Sequence, residues 1–309
     1  MKVSPSVASV TVAYNAEERL PRHLESLLGQ TRPLQEIIVV DNASTDHTAS
    51  LLAERFPQVT VLRMSENLGM AGGWAAGLSY AALEKGHDWV WSFDNDSVPK
   101  TDVLEVMLEG IESLGDGAGD VGMASPLLIH RETGTRYDPF YWRDGYVRPS
   151  DEVMRQPVLF VDLVCTSGCM VRRDVVEKIG LPRADFFMDF CDTEYSLRVR
   201  SHGYRIAVVT GSELDHRIGK SRWVRLPGYC RFRIEEAPWR HYYIARNITY
   251  SIWFLYPTPV SKRYVIRHLA KRAGSLLVFD SNKLACVKKM AQGFLDGRRG
   301  RLGIRFRPS

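Results

Sequence analysis

No stretch of this chain stays apolar for the roughly 18 to 20 residues that a membrane-spanning helix needs. Residues 1–10 carry one lysine and no long apolar run, so they do not read as a secretory signal. Cysteine is scarce: five residues in 309, at 165, 169, 191, 230 and 286, odd in number and without a Cys-x-x-Cys pair. That argues against a disulfide framework and against a structural zinc site of paired-cysteine spacing, and favours reduced, packing cysteines in a cytoplasmic protein. No internal repeat is present. Acidic residues almost vanish from the last third. Residues 217–309 hold 4 Asp/Glu against 21 Lys/Arg, a balance of +17, whereas residues 1–216 hold 32 against 20, a balance of −12. A basic segment joined to an acidic body suits an anionic partner such as a membrane surface, phosphates or nucleic acid, or packs on the body itself. Nothing in it resembles a nucleic-acid motif.

What is present is an alternation of apolar runs and amphipathic stretches, in a composition (45% hydrophobic, 25% charged) ordinary for a globular protein. Strands are predicted over 7–14, 36–40, 59–63 and 89–93. Helices are predicted over 16–30 (capped by Asn15), 48–56 and 74–85. Strand and helix in alternation with short loops mean βαβ units and a parallel sheet covered on both faces. Beyond residue 100 we predict helices over 102–113, 174–179 and 193–202, and strands over 160–164 and 204–209. The stretch 131–149 is polar and aromatic with little periodicity. The tail is expected to be helical from Arg231 onward. In 261–279, Val265, Leu269, Ala273, Leu276 and Leu277 fall on one side, with Lys262, Arg263, Arg267, Lys271 and Arg272 elsewhere. The last dozen residues, rich in Gly and Arg, are expected to be mobile.

The chemistry concentrates at Trp91-Ser92-Phe93-Asp94-Asn95-Asp96-Ser97-Val98-Pro99. An apolar strand delivers two carboxylates one residue apart, and Pro99 stops the strand. In an open α/β sheet, ligands bind at the carboxyl ends of the strands. Two close carboxylates repel unless a cation lies between them, and a hard divalent cation with open positions for phosphate oxygens satisfies both. A solvated Asp-Asn-Asp turn is the plain alternative. Tyr14-Asn15 and Asp41-Asn42 end the first two strands and belong to the same sheet edge.

In that order, Tyr14-Asn15, the loop Val40 to Asp46, Asn67-Leu68-Gly69 and Asp94-Asn95-Asp96 resemble a family 2 glycosyltransferase of the GT-A fold. Ser167-Gly168-Cys169, the run Phe186 to Arg198 and Asp215-His216 resemble its rhamnosyltransferase and galactofuranosyltransferase branches. The resemblance implies a GT-A α/β domain over 1–220, with about 1–100 holding the nucleotide sugar and about 101–220 the acceptor and base, followed by a basic, mainly helical extension over 221–309. It implies that Tyr14, Asn15, Asp41, Asn42, Asn67, Gly69, Gly73 and Asp94 hold the donor nucleotide. Asp96, Asp94 and His216 would hold Mn²⁺ or Mg²⁺ against the donor diphosphate. Asp192 matches the general base, Asp189 is its rival, and Glu194 is expected to orient the acceptor. Trp142, Gly168 and Cys169 are candidates for the acceptor site. Each of these positions also has a plain structural reading: capping for Asp41, Asn42 and Asp192, a glycine-rich loop for 67–73, and a packed histidine for His216.

The implied activity is inverting, metal-dependent transfer of a sugar from a nucleoside-diphosphate donor to a cell-surface glycan or a lipid-linked acceptor. The pattern around Phe187 to Leu197 favours dTDP-rhamnose, with UDP-galactofuranose as the alternative. The expected location is the cytoplasm, peripheral on the inner face of the plasma membrane, in cell-envelope polysaccharide synthesis. A sugar nucleotidyltransferase would carry a glycine-rich basic loop after the first strand, where this chain reads Tyr14-Asn15-Ala16-Glu17-Glu18. A non-catalytic glycan- or nucleic-acid-binding protein is the reading from another class.

Overall fold

The computed structural model describes residues 4–130, 134–137, 139–216, 220–226 and 229–307, without the side chains of 135, 220–226 and 229–234. Its strands in chain order are β1 Val7–Ala13, β2 Glu36–Asp41, β3 Thr60–Arg63, β4 Trp89–Asp94, β5 Val98–Pro99, β6 Val121–His130, β7 Thr135–Tyr137, β8 Tyr141–Trp142, β9 Tyr146–Val147, β10 Val158–Val161, β11 Cys169–Arg172, β12 Arg205–Asp215, β13 Lys220–Leu226 and β14 Tyr229–Glu235. Its helices are α1 Leu20–Leu28, α2 Thr48–Arg55, α3 Gly69–Leu78, α4 Val103–Glu112, α5 Arg173–Ile179, α6 Cys191–Ser201, α7 Pro238–Tyr250, α8 Pro259–Phe279 and α9 Lys283–Arg298. The chain divides into two compact units, Met1–Ala184 with Asp192–His216, and Asp185–Cys191 with Arg217–Ser309.

The first unit is built on one sheet, in the order β10-β12-β6-β11-β4-β1-β2-β3. β3, β2, β1 and β4 are parallel; β11 runs antiparallel to both β4 and β6, and β6 is parallel to β12. Alternate residues of β1, β2 and β4 face opposite cores, while β3 at the edge is partly exposed. Ile37 and Val39 join Leu20, Leu24 and Met107 on one face, while Ile38 and Val40 join Trp74, Leu78 and Tyr195 on the other. Burial on both faces is why these strands read as unbroken apolar runs. Register then sets the functional edge: Ala13 lies opposite Asp41, and Val12 opposite Asp94. The strand ends seen in the sequence therefore do share one rim.

Helix α1 begins at Leu20, not at Ala16. Asn15 is no cap; it sits at φ 47° and its Oδ1 accepts from Thr45 N at 2.8 Å. The free N–H groups of that turn are satisfied from the neighbouring loop instead, Ala16 N by Thr48 Oγ1 at 2.8 Å and Glu17 N by Asp46 Oδ2 at 3.2 Å. The glycines of α3 serve packing. A Cβ at Gly73 would lie 2.6 Å from Val12 Cγ1, and one at Gly77 would lie 2.2 Å from Val10 Cγ1.

The second unit departs from the helical expectation at its start, where β13 and β14 form an antiparallel hairpin. Helices follow. A Cβ at Gly293 would meet Tyr242 O at 2.1 Å and one at Gly297 would meet Arg246 O at 2.5 Å, so α9 lies backbone to backbone on α7. Val265, Leu269 and Leu276 of α8 are buried, but Leu277 is 46% exposed. The terminal segment, expected to be mobile, is tied down: Gly303 N donates to Asp185 O at 2.9 Å, and Tyr243 Oη to Phe306 O at 2.7 Å. Among the described residues no helix is long and apolar enough to cross a membrane.

Candidate active site

The strand β4 ends at Asp94, and β12 pairs with β5 just beyond it, Asp215 opposite Val98. That pairing brings His216 back over the acidic loop. Donor atoms of Asp94, Asp96 and His216 all lie within 4.8 Å of one another. His216 Nε2 is 3.9 Å from Asp94 Oδ2, and its Nδ1 is 4.0 Å from Asp96 Oδ1. Burial raises the pKa of Asp96, and the neighbouring Asp94 carboxylate raises it further; His216 and Arg19, the latter 3.7 Å away, oppose them. Two crowded oxygens and an imidazole suit a divalent cation such as Mn²⁺.

Residues not singled out in the sequence hold this group. Ser97 Oγ bonds His216 Nδ1 at 2.8 Å and Ser167 Oγ at 2.5 Å, and Ser167 Oγ accepts from Asp94 N at 3.3 Å. With Nδ1 occupied by a hydroxyl, Nε2 is the nitrogen left for a ligand bond. From the other side, His23 donates Nδ1–H to Ser97 O at 2.5 Å and accepts from Thr11 Oγ1 at Nε2 at 2.8 Å. The signal for Ser97 was its place directly after Asp96; His23 had none.

Asp41 is fully buried at the end of β2. Its Oδ1 accepts from Ser44 N at 2.9 Å. Its buried Oδ2 has no hydrogen-bond partner, with Arg63 Nε 3.9 Å away. An unmatched buried carboxylate oxygen at the strand end lacks the donor that its burial calls for. Tyr14 is half-buried on the same rim, and Asn15 is exposed there. Asn42 and Asn67 are turned inward: Asn42 Nδ2 donates to Asn67 Oδ1 at 3.2 Å and Gly69 O at 3.0 Å, and its Oδ1 accepts from Leu68 N at 2.9 Å. They brace the 67–69 turn, where Gly69 has φ 71°.

Asp192 lies in the first turn of α6, half-buried, with Oδ1 accepting from Thr193 N at 2.7 Å. It shares surroundings with Asp94. The thiol of Cys165, on a residue that reaches the surface, is held above its usual range first by desolvation and then by the carboxylates of Asp192 and Asp94. Tyr146 of the small β8–β9 hairpin approaches Thr193, Oη to Oγ1 3.4 Å, and packs edge-on against Trp142 at 5.4 Å. That sets Trp142 near the start of α6.

Three of the predicted acceptor-site residues lie in the interior. Glu194 is 2% exposed and bound to Arg198 through both oxygens, at 3.0 and 3.1 Å. Its carboxylate is taken up by that i,i+4 ion pair, a spacing readable in the sequence. Cys169 is fully buried in the core, and Gly168 is a buried turn residue at φ 79° whose Cβ would strike Leu214 Cδ2 at 2.5 Å. Both shape the scaffold. In the second unit, Asp189 is held by Arg240 at 2.6 and 3.2 Å, within a loop where Phe187, Asp189 and Phe190 all have φ between 61° and 65°. Buried Arg246 and Asn247 fix that loop. Arg246 donates to the carbonyls of Asp185 and Phe186, and Asn247 to those of Phe186, Met188 and Asp189 at 2.8–3.1 Å.

Glycosyl transferase family 2 matches residues 9–180, more than half of the chain. The chain is a family 2 glycosyltransferase. It is 26% identical over 305 residues to dTDP-rhamnosyl transferase RfbF of Shigella flexneri, covering 97% of this chain and 98% of that protein. It is 27% identical over 259 residues to galactofuranosyltransferase GlfT1 of Mycobacterium tuberculosis, covering 81% and 83%. The fold is GT-A: the crystal structure of GalNAc-T7 with UDP, GalNAc and Mn²⁺ superposes with a TM-score of 0.64 at 16% identity, over 97% of this chain and 57% of that one.

Proposed function

We propose that this glycosyltransferase moves a sugar, rhamnose first, from a nucleoside-diphosphate donor to a glycan or lipid-linked acceptor, with inversion and in the presence of a divalent cation. The observation that carries the reading is the convergence of Asp94, Asp96 and His216 on one rim with the unpartnered Asp41 oxygen. Asp41 accepts from the donor's base or ribose, and Tyr14 offers its ring face. Asp96, Asp94 and His216 Nε2 hold the cation, which when bound neutralises charge on the leaving diphosphate. Asp192 takes the acceptor hydroxyl's proton as that oxygen attacks the anomeric carbon opposite the diphosphate. Asp189 is the weaker candidate, because its carboxylate is already paired with Arg240.

Rhamnose rests on likeness to a dTDP-rhamnosyl transferase over nearly the whole chain. The similar identity to a galactofuranosyltransferase supports UDP-galactofuranose as the second reading. Peripheral attachment to an anionic membrane on the cytoplasmic side is supported by α8, where Val260 (57% exposed), Ile266 (52%) and Val278 (60%) accompany Arg263, Arg267 and Lys271. Nucleotide release from dTDP-rhamnose and UDP-galactofuranose, with Mn²⁺ and with EDTA, tests the activity. Metal-dependent turnover of the first supports the reading; turnover of the second alone transfers it to galactofuranose. No binding or turnover of either ends it. Flotation with anionic liposomes at low salt tests the attachment, which fails if the protein stays unbound.

A further inference from the structure

The +17 segment 217–309 holds four acidic residues, and three of them, Glu235, Glu236 and Asp280, line one cavity with His241, His268 and Arg272. Helix α9 brings the fully buried Cys286 to the same place. A ring nitrogen of His241, a carboxylate oxygen of Asp280 and Cys286 Sγ lie within 4.8 Å of one another. His241 is 2% exposed, and its buried Nε2 has no hydrogen-bond partner. Its Nδ1 lies 3.7 Å from the Glu236 carboxylate and receives a hydrogen bond from Arg272 at 3.3 Å. Arg272 is itself paired with Glu236. Because Arg272 only donates, the neutral ring must carry its proton on Nε2, where nothing accepts it. A buried donor without an acceptor is a costly arrangement that a bound ligand relieves.

We propose that His241, Asp280 and Cys286 form a second metal site, separate in chemistry from the donor site and suited to Zn²⁺. One nitrogen, one sulfur and one oxygen match that borderline-soft ion, while the carboxylate-rich donor rim suits a harder one. A tetrahedral ion with the usual bond lengths needs donors roughly 3.3–3.8 Å apart; Cys286 Sγ and Asp280 Oδ1 are already 3.5 Å apart, and the His241 nitrogen lies within 4.8 Å of both ligands. On binding, Arg272 gives up its bond to Nδ1, the ring proton moves there to face Glu236 as the supporting carboxylate, and the Cys286 thiol proton leaves to solvent. Solvent fills the fourth position. The ligands come from α7, the C-cap of α8 and α9, so the ion cross-links the three helices of this unit. The residue spacing 241, 280 and 286 fits no zinc motif; the three positions meet only through helix packing.

The test is cobalt titration of the chelator-stripped full-length protein. A near-ultraviolet thiolate-to-cobalt band should saturate at one equivalent and disappear on adding Zn²⁺. Cys286→Ser should abolish the band, Asp280→Asn should weaken cobalt binding at least tenfold, and Asp96→Asn should leave the band unchanged. Circular dichroism confirms that each variant is folded, and Asp280→Asn carries the test if Cys286→Ser is not. Absence of the band in the wild type, or its persistence at full strength in the folded variants, overturns the proposal.

Discussion

Acidification should weaken the first unit through His23. The ring is buried, and desolvation lowers its pKa from 6.5 to about 4, partly offset by the bond to the Ser97 carbonyl. Because the folded-state pKa is the lower one, the unfolded chain takes up the proton first. The neutral ring's stabilisation is present above pH 6.5 and is lost as pH falls toward 4. A shift of about 2.5 units corresponds to about 3.4 kcal/mol in full, of which about 2 kcal/mol is gone by pH 5. His23→Gln removes this term, while His241, also lowered to about 4, stays in both proteins and cancels in the comparison. Urea unfolding at pH 7.5 and pH 5.0 measures it. The wild type should lose about 2 kcal/mol more than His23→Gln over that interval. Equal losses, or an NMR titration placing His23 near 6.5, would refute the reasoning. The consequence reaches the site, because His23 holds the backbone of Ser97 and Ser97 holds His216.

Gly293→Ala should destabilise the second unit by about 1–3 kcal/mol, since its Cβ meets the Tyr242 carbonyl, whereas Gly274→Ala, with open space around it, should be neutral or slightly stabilising; thermal melts compare them. Asn247→Ala deprives three carbonyls of a buried donor and should cost about 1–3 kcal/mol, with faster proteolysis within 185–191. Under the proposed function, Asp192→Asn should reduce kcat about 100-fold or more with donor affinity kept, while Asp189→Asn should retain most activity; initial rates and donor titrations separate the two.

The first hundred residues were legible because β1, β2 and β4 are buried on both faces and end abruptly in polar loops: Ile37 to Val40 stopping at Asp41, and Trp89 to Phe93 stopping at Asp94. The start of α1 was not, because the turn before it is held by Thr48 and Asp46, about 30 residues away in sequence. The β13–β14 hairpin had a usable signal, the alternation Cys230-Arg231-Phe232-Arg233-Ile234 after Pro227-Gly228, which the basic charge of the tail concealed. Asp94, Asp96 and His216 could be grouped only through family resemblance, since β12 must fold back beside β5 before they meet. The Arg240 grip on Asp189 and the cluster at His241 arise from helix packing and leave no local pattern.

The central claim is that Asp94, Asp96 and His216 hold a cation against the donor diphosphate. Electron paramagnetic resonance of Mn²⁺ with dTDP or UDP tests it most directly. The wild type should bind Mn²⁺ together with nucleotide, with a nitrogen coupling that His216→Ala removes, and Asp96→Asn should lose nucleotide-dependent Mn²⁺ binding. Unchanged Mn²⁺ and nucleotide binding in both variants would contradict it.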